Sequence, residues 1–199
     1  MKKAEAGLAA EIVPCVFAQS SPYPESIWAG AGVGMSLAVA VLFLADVYAP
    51  PWQPLARQIL WVPAAGLAGA LLGRWFAPLK RGLIGGTRMK AAVERRAKEV
   101  FFDHGVARAA TRRGVLIFAS LLERRVVVLA DEGVRGKIPD SKWDEAAAAM
   151  TTLAAKGDVP GGLCAAIASV SATLKAAGFS GGASDANELG DDPLTGHGR

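Results

Sequence analysis

The chain has 199 residues, 52% of them hydrophobic, and a formal net charge of +4. Once a membrane hairpin is set aside, that length supports one small domain with a single core and excludes a second. The charge is segregated into a basic block (Lys80, Arg81, Arg88, Lys90, Arg95, Arg96, Lys98) and an acidic tail (Asp185, Glu188, Asp191, Asp192). Beside an apolar span such a block reads as a topology signal and a contact with anionic lipid; no nucleic-acid motif accompanies it, so nucleic acid is not expected as a partner. Cys15 and Cys164 lack the paired spacing of a zinc or redox site, so both are expected to be inert, buried small hydrophobes in a reducing compartment.

In chain order, Met1-Lys2-Lys3 precedes an Ala-rich run, but Glu5 and Glu11 interrupt the apolar core a signal peptide needs. Glu11 to Ala18 is rich in β-branched and aromatic residues and ends in the breakers Gln19 to Pro24, which predicts a short strand. Pro14 cannot donate to a ladder and favours an edge or a strand end.

Ile27 to Ala45 and Gln58 to Gly73 are apolar and almost free of charge, and the turn-rich Ala49 to Pro54 joins them, so together they predict a transmembrane helical hairpin. The first run is long enough for a hydrocarbon core of ~30 Å; the second lies between Arg57 and Arg74, whose guanidinium groups would snorkel to the interface. Trp28 and Trp75 are expected at one face of the bilayer and Tyr48, Trp52 and Trp61 at the other. Soluble core helices normally carry a polar stripe, and Ser36 is the only clearly polar side chain between Trp28 and Ala45. Gly30 with Gly34, and Gly69 with Gly73, form small-residue faces for packing within the hairpin or between protomers. Lys2, Lys3 and the basic block flank the hairpin, while the loop between the spans carries only Asp46 and Arg57. In a bacterial inner membrane that bias places both termini in the cytoplasm.

Beyond the hairpin, Gly85-Gly86 lacks the Gly-Lys-Thr ending of a phosphate loop and reads as a joint. Thr87 is the expected cap of a helix to about Asp103, with Met89, Val93, Ala97, Val100 and Phe101 at helical spacing. Residues 115–120 and 125–130 form an antiparallel strand pair, the first apolar on both faces and therefore central. Ser141 and Asp144 have the form of a capping box opening a helix that Gly157 ends. A last helix runs from near Pro160 to Gly178, and the Gly/Ser/Asp tail has too little apolar content to fold alone. Helices long enough to cover both faces of a small mixed sheet imply an α/β architecture, an αβα sandwich. A lone first strand exposes unpaired backbone, so it should return to the sheet of residues 115–130, making the two-helix transmembrane hairpin an insertion within the domain. The expected divisions are 1–26, first part of the split domain; 27–79, hairpin; 80–180, main part; and 181–199, acidic flexible tail.

Gly114 to Arg125, Ala130-Asp131-Glu132-Gly133, and Lys137-Ile138-Pro139-Asp140 with Trp143 resemble the TPM-domain family, more closely its bacterial branch in which a two-span hairpin splits the domain. Glu11-Ile12-Val13 before Tyr23, Phe102 with His104-Gly105, Gly161-Gly162 with Ala165-Ala166-Ile167, and Asp185 to Leu189 extend the likeness over most of the chain. The resemblance implies an αβα sandwich. For activity it implies a range: calcium binding, acid phosphatase, and photosystem-repair or receptor-associated roles. Where the family usually has a full helix before the first strand, this chain offers only Ala4 to Ala10, which leaves open a missing covering helix or a natural start further upstream.

Glu123, Asp131, Glu132 and Asp140 each follow or flank a strand end, the edge where open α/β sheets place ligands, and could supply oxygens to Ca²⁺ or Mg²⁺. Each also has a structural use: Glu123 paired with an arginine in a tight turn, Asp131 stopping a strand, Asp140 capping a helix. His104 and His197 are the only histidines, and no nucleophile elbow is visible, so no catalytic residue is assigned. Two functions follow as expectations. One is a membrane-anchored binding or assembly module for membrane or envelope maintenance, with the lipid bilayer and a membrane protein or a second copy, through the glycine faces, as partners. The other is a divalent-metal-assisted phosphatase.

Overall fold

The computed structural model describes residues 8, 10–48, 55–104, 106, 112–156, 158–180 and 194–196. The element order is β1 (Glu11–Phe17), α1 (Glu25–Tyr48), α2 (Leu55–Trp75), α3 (Ala77–Ile84), α4 (Gly86–Asp103), β2 (Gly114–Ser120), β3 (Arg125–Ala130), α5 (Glu132–Arg135), α6 (Asp140–Ala155), α7 (Val159–Ala176) and β4 (Leu194–Gly196). Two compact units result: Met1–Ser21 with Lys90–Arg199, and Pro22–Met89.

The first unit holds a mixed sheet of order β3-β2-β1-β4. β1 runs parallel to β2, with Ile12 opposite Val115 and Val16 opposite Ala119, although the hairpin separates them in sequence. β2 and β3 pair antiparallel, Leu116 opposite Leu129. The first strand thus returns to the sheet, as an unpaired strand must.

Pro14 does sit in an interior strand, and the register explains why it is tolerated. The Leu121 N–H donates to the Phe17 carbonyl at 3.0 Å, so odd-numbered residues of β1 aim their backbone groups at β2 and Pro14 faces the opposite side. There β4 pairs only with Cys15 to Phe17. Among the described residues the missing donor therefore falls beyond the neighbouring strand.

Alternation of side chains across the strands separates two cores. Val13, Cys15, Phe17, Leu116 and Phe118 pack with Val93, Ala97, Val100 and Phe101 of α4. Ile12, Val115, Ile117 and Ala119 pack with Trp143, Ala146 and Met150 of α6 and Ile167, Val170 and Leu174 of α7. Helices on both faces make this an αβα sandwich.

Several local expectations change. Residues 194–196 of the expected flexible tail form β4. α4 starts at Gly86 after Gly85 at φ 80°, leaving Thr87 inside the first turn rather than at the cap. α6 starts at Asp140 behind the N-cap Pro139, so neither Asp140 nor Ser141 caps it. Lys2, Lys3, Ala4 to Gly7, Ala9, Ala49 to Pro54, Gly105, Gly157, the acidic residues of the tail and His197 lie outside the described residues.

In the second unit α1 has 24 residues and α2 has 21, lengths of roughly 36 and 32 Å at ~1.5 Å per residue. The helices run antiparallel in backbone contact: a methyl placed on Gly30 would strike the Gly69 carbonyl oxygen, one on Gly69 that of Gly30, and one on Gly34 that of Ala65. These glycine faces are used inside the hairpin. The same pairing puts Trp28 and Trp75 at one end, 77% and 79% exposed. Trp61 departs from expectation. With Gly34 level with Ala65 and Gly69, Trp61 stands roughly 12 Å short of Tyr48 along the axis, exposed on a groove that Leu37, Val41 and Leu42 also line.

After Trp75 the chain bends by 96° into α3, which carries a proline in its first turn. Lys80 on α3 is buried, with its Nζ 5.7 Å from the centre of the Tyr23 ring. It is therefore a packed cation rather than a solvated member of the basic block. By length and composition α1 and α7 could each cross a membrane, and α2 with α3 forms a third candidate broken at the bend. α7, however, buries its apolar stripe against the sheet, while Leu37, Phe43 and Leu67 of the hairpin stand open at 64 to 67% exposure.

Candidate functional site

The four acidic candidates do not converge. Glu123 lies in the turn after β2, whereas Asp131 and Glu132 follow β3 at the other end of the sheet, roughly 20 Å away along the strand. Asp140 is further on, exposed in the first turn of α6. Among the described residues no group of three or more His, Cys, Asp or Glu side chains is placed to hold a metal ion.

Glu123 is buried and committed. Its Oε1 accepts the Ser20 N–H at 2.9 Å, its Oε2 accepts the Ser120 hydroxyl, and the Ser20 hydroxyl donates to Ser120 Oγ at 2.8 Å. A carboxylate leaves water only when such donors replace it. Two serines, Ser20 and Ser120, are thus among its partners. With Ser20 and Ser120 both buried, this cluster ties the end of β1 to the β2–β3 turn and presents no nucleophile to solvent. The turn itself needs Arg124 at φ 51°, a left-handed conformation that costs about 1 kcal/mol in a non-glycine residue.

At the opposite end Asp131 caps α5, its Oδ1 accepting the Glu132 N–H at 2.7 Å. Its Oδ2 is buried without a hydrogen-bond partner. Glu132 is exposed and pairs with Arg112 at 3.1 Å. Asp131 and Glu132 are therefore the only two of the four candidates that share a neighbourhood.

Cys15 is buried as expected, and burial pushes its thiol up to about 12 against the opposing pull of the Arg96 charge. Cys164 is exposed on α7, contrary to expectation. The helical positions packed into the core are Ala166, Ile167, Val170 and Leu174, and residue 164 falls on the outer side of that stripe.

A concavity of the sheet domain was not foreseen. A groove of about 660 Å³ runs along β3, floored by Val126 to Leu129, with Lys90, Val93, Glu94 and Lys98 of α4 on one side and Trp143, Asp144, Ala147 and Thr151 of α6 on the other. β3 ends the strand order, so its outer backbone edge faces the groove. A signal was present in the sequence: Arg125 to Ala130 contains no lysine, proline or glycine to blunt an edge.

Residues 86–173 match the family model described as TPM domain. The NMR structure of the BA42 protein from the psychrophilic bacterium Bizionia argentinensis is similar in fold, with a TM-score of 0.56 and 15% identity over 98% of this chain and 86% of that one. No curated protein matches. Residues 86–173 accordingly match a TPM domain, and β1 joins the sheet to which that stretch contributes β2 and β3 from the far side, in sequence, of the helical hairpin.

Proposed function

We propose that the protein is a membrane-anchored binding or assembly module, a TPM domain held at the cytoplasmic face of a bacterial inner membrane for membrane or envelope maintenance. The observation that carries it is the parallel pairing of β1 with β2 across the hairpin. An apolar hairpin inserted between neighbouring strands tethers one sheet domain through both of its connections and requires both on one side of the bilayer. The open groove along β3 gives such a module a place to bind. Affinity purification of the full chain from solubilised membranes should recover a reproducible membrane-protein partner or a second copy, and a chain extracted from membranes by alkaline carbonate would overturn the anchoring.

A second reading is a divalent-cation-assisted phosphatase, favoured by the buried, unpartnered Oδ2 of Asp131 beside Glu132. Two carboxylates fall short of the six to eight oxygens Ca²⁺ takes, so loop carbonyls and water would complete the shell. Glu123 is occupied elsewhere and Asp140 is remote. Calorimetric titration of the full chain with Ca²⁺ and Mg²⁺ should give a signal abolished by Asp131→Asn and untouched by Asp140→Asn. Phosphomonoester cleavage that is insensitive to chelator and to Asp131→Asn would remove this reading.

A further inference from the structure

The backbone direction along β3 follows from two hydrogen bonds. The Asp131 N–H donates to the Gly114 carbonyl at 2.9 Å, which makes residues 114 and 131 a hydrogen-bonded pair. Bonded and non-bonded pairs alternate along an antiparallel ladder. The pairs 116/129 and 118/127 therefore bond inward, while Val126, Val128 and Ala130 aim their N–H and C=O groups away from β2 into the groove. The Leu121 N–H bonded to Phe17 agrees, since it turns the odd-numbered residues of β2 toward β1.

This open edge is bounded by unlike charges. Arg124 and Arg125 precede it and Asp131 and Glu132 follow it, with Val128 midway. Turned about Val128 onto a second copy, the edge meets itself in register: Val128 pairs with Val128, Val126 with Ala130, and each pair exchanges both of its backbone hydrogen bonds. The same rotation brings the basic Arg124–Arg125 end of one edge to the acidic Asp131–Glu132 end of the other; Arg124 stands in the turn and Glu132 in the first turn of α5, so these are neighbouring ends of opposite charge rather than ladder pairs. An edge with no such purpose is normally blunted by lysine, proline or a bulge.

We propose that β3 is a self-association edge, and that two copies of this chain pair antiparallel through it to form one continuous eight-stranded sheet. The inference deepens the binding reading by naming the partner. A planar anchor would favour it further, because protomers confined to a membrane meet at high effective concentration. A foreign extended segment is the alternative occupant. The self-matching charge order favours a second copy.

The test is the mass of the detergent-solubilised full chain by analytical ultracentrifugation. A dimer is expected, and Arg124→Glu, which sets a like charge near the acidic end of the other copy, should weaken it on the order of tenfold or more over its two symmetric ends. Arg124→Glu combined with Glu132→Arg should restore it, a rescue that general damage to the fold would not give. Val128→Pro deletes the central outward N–H and spares the ladder to β2, so it should yield a folded monomer. A dimer unaffected by these variants, as one held by the hairpin would be, overturns the proposal. A wild type that is monomeric at all concentrations also overturns it; if that monomer still captures a partner through β3, the binding reading stands without self-pairing.

Discussion

Ser20 and Glu123, 103 residues apart, are joined by a buried hydrogen bond of 2.9 Å from the Ser20 backbone to the Glu123 carboxylate. Ser20 stands just ahead of the hairpin and Glu123 just beyond β2, so the bond fastens the chain across the insertion. Removing the acceptor leaves a buried N–H and the Ser120 hydroxyl without it. Glu123→Ala should cost about 1.5–3 kcal/mol, the range for hydrogen bonds to a charged group. Glu123→Gln, which keeps one acceptor oxygen, should cost less. Chemical denaturation of the solubilised chain measures both, and a neutral Glu123→Ala would show that the cluster does not hold the split domain together.

The hairpin makes a prediction at Gly30. A side chain there meets the Gly69 carbonyl oxygen, while one at Gly32 on the same helix meets nothing within 4 Å. Gly30→Val should therefore force the helices apart at a cost of about 1–3 kcal/mol, the usual penalty of overpacking. Gly32→Val should stay within about 0.5 kcal/mol of wild type. Equal thermal stability of the two variants in detergent would contradict the backbone contact.

Cys15 and Cys164 should separate under thiol reagents. The buried thiol, raised from 9.0 to about 12, stays protonated and shielded; the exposed Cys164 reacts as an ordinary thiol. The linkage has a definite sign. The native state holds its proton longer than the unfolded state, so stabilisation by Cys15 is fully present below pH 9 and is lost as the pH rises toward about 12. Replacing Cys15 with alanine should flatten that part of the stability curve relative to wild type, and unchanged curvature would refute the assignment.

The local part of the fold was legible because its signals are local. Val93, Ala97 and Val100 mark α4 by helical spacing, and the apolar runs about the Leu121 to Arg124 turn mark β2 and β3. Non-local contacts carry the rest. Nothing near Leu194 announces a three-residue strand, since its pairing with Cys15 supplies the reason for it. Trp61 invites an interfacial reading as an aromatic near a helix start, yet the register set by Gly34 and Ala65 puts it deeper. Of the candidate site, the acid types were visible and their separation was not: a sheet edge gathers residues by strand direction, and antiparallel β3 carries Asp131 away from Glu123. Two partners of Glu123 are Ser20 and Ser120, which no motif links.

The proposed function carries a topology that can be tested. β1 and β2 are parallel neighbours, so a hairpin that spans a bilayer must have both its flanks in one compartment, and the charge bias of those flanks predicts that this compartment is the cytoplasm. Single cysteines in a Cys15→Ala, Cys164→Ser background, probed on intact cells with a membrane-impermeant maleimide, separate the alternatives. Cysteines placed from Pro50 to Gln53 should label from outside, while exposed positions Pro22 and Ser180 should label only after lysis. The reverse pattern would overturn the cytoplasmic placement and leave the insertion intact. Labelling of Pro22 and Ser180 from opposite sides would be the more serious result, because no strand can pair with a neighbour across the bilayer.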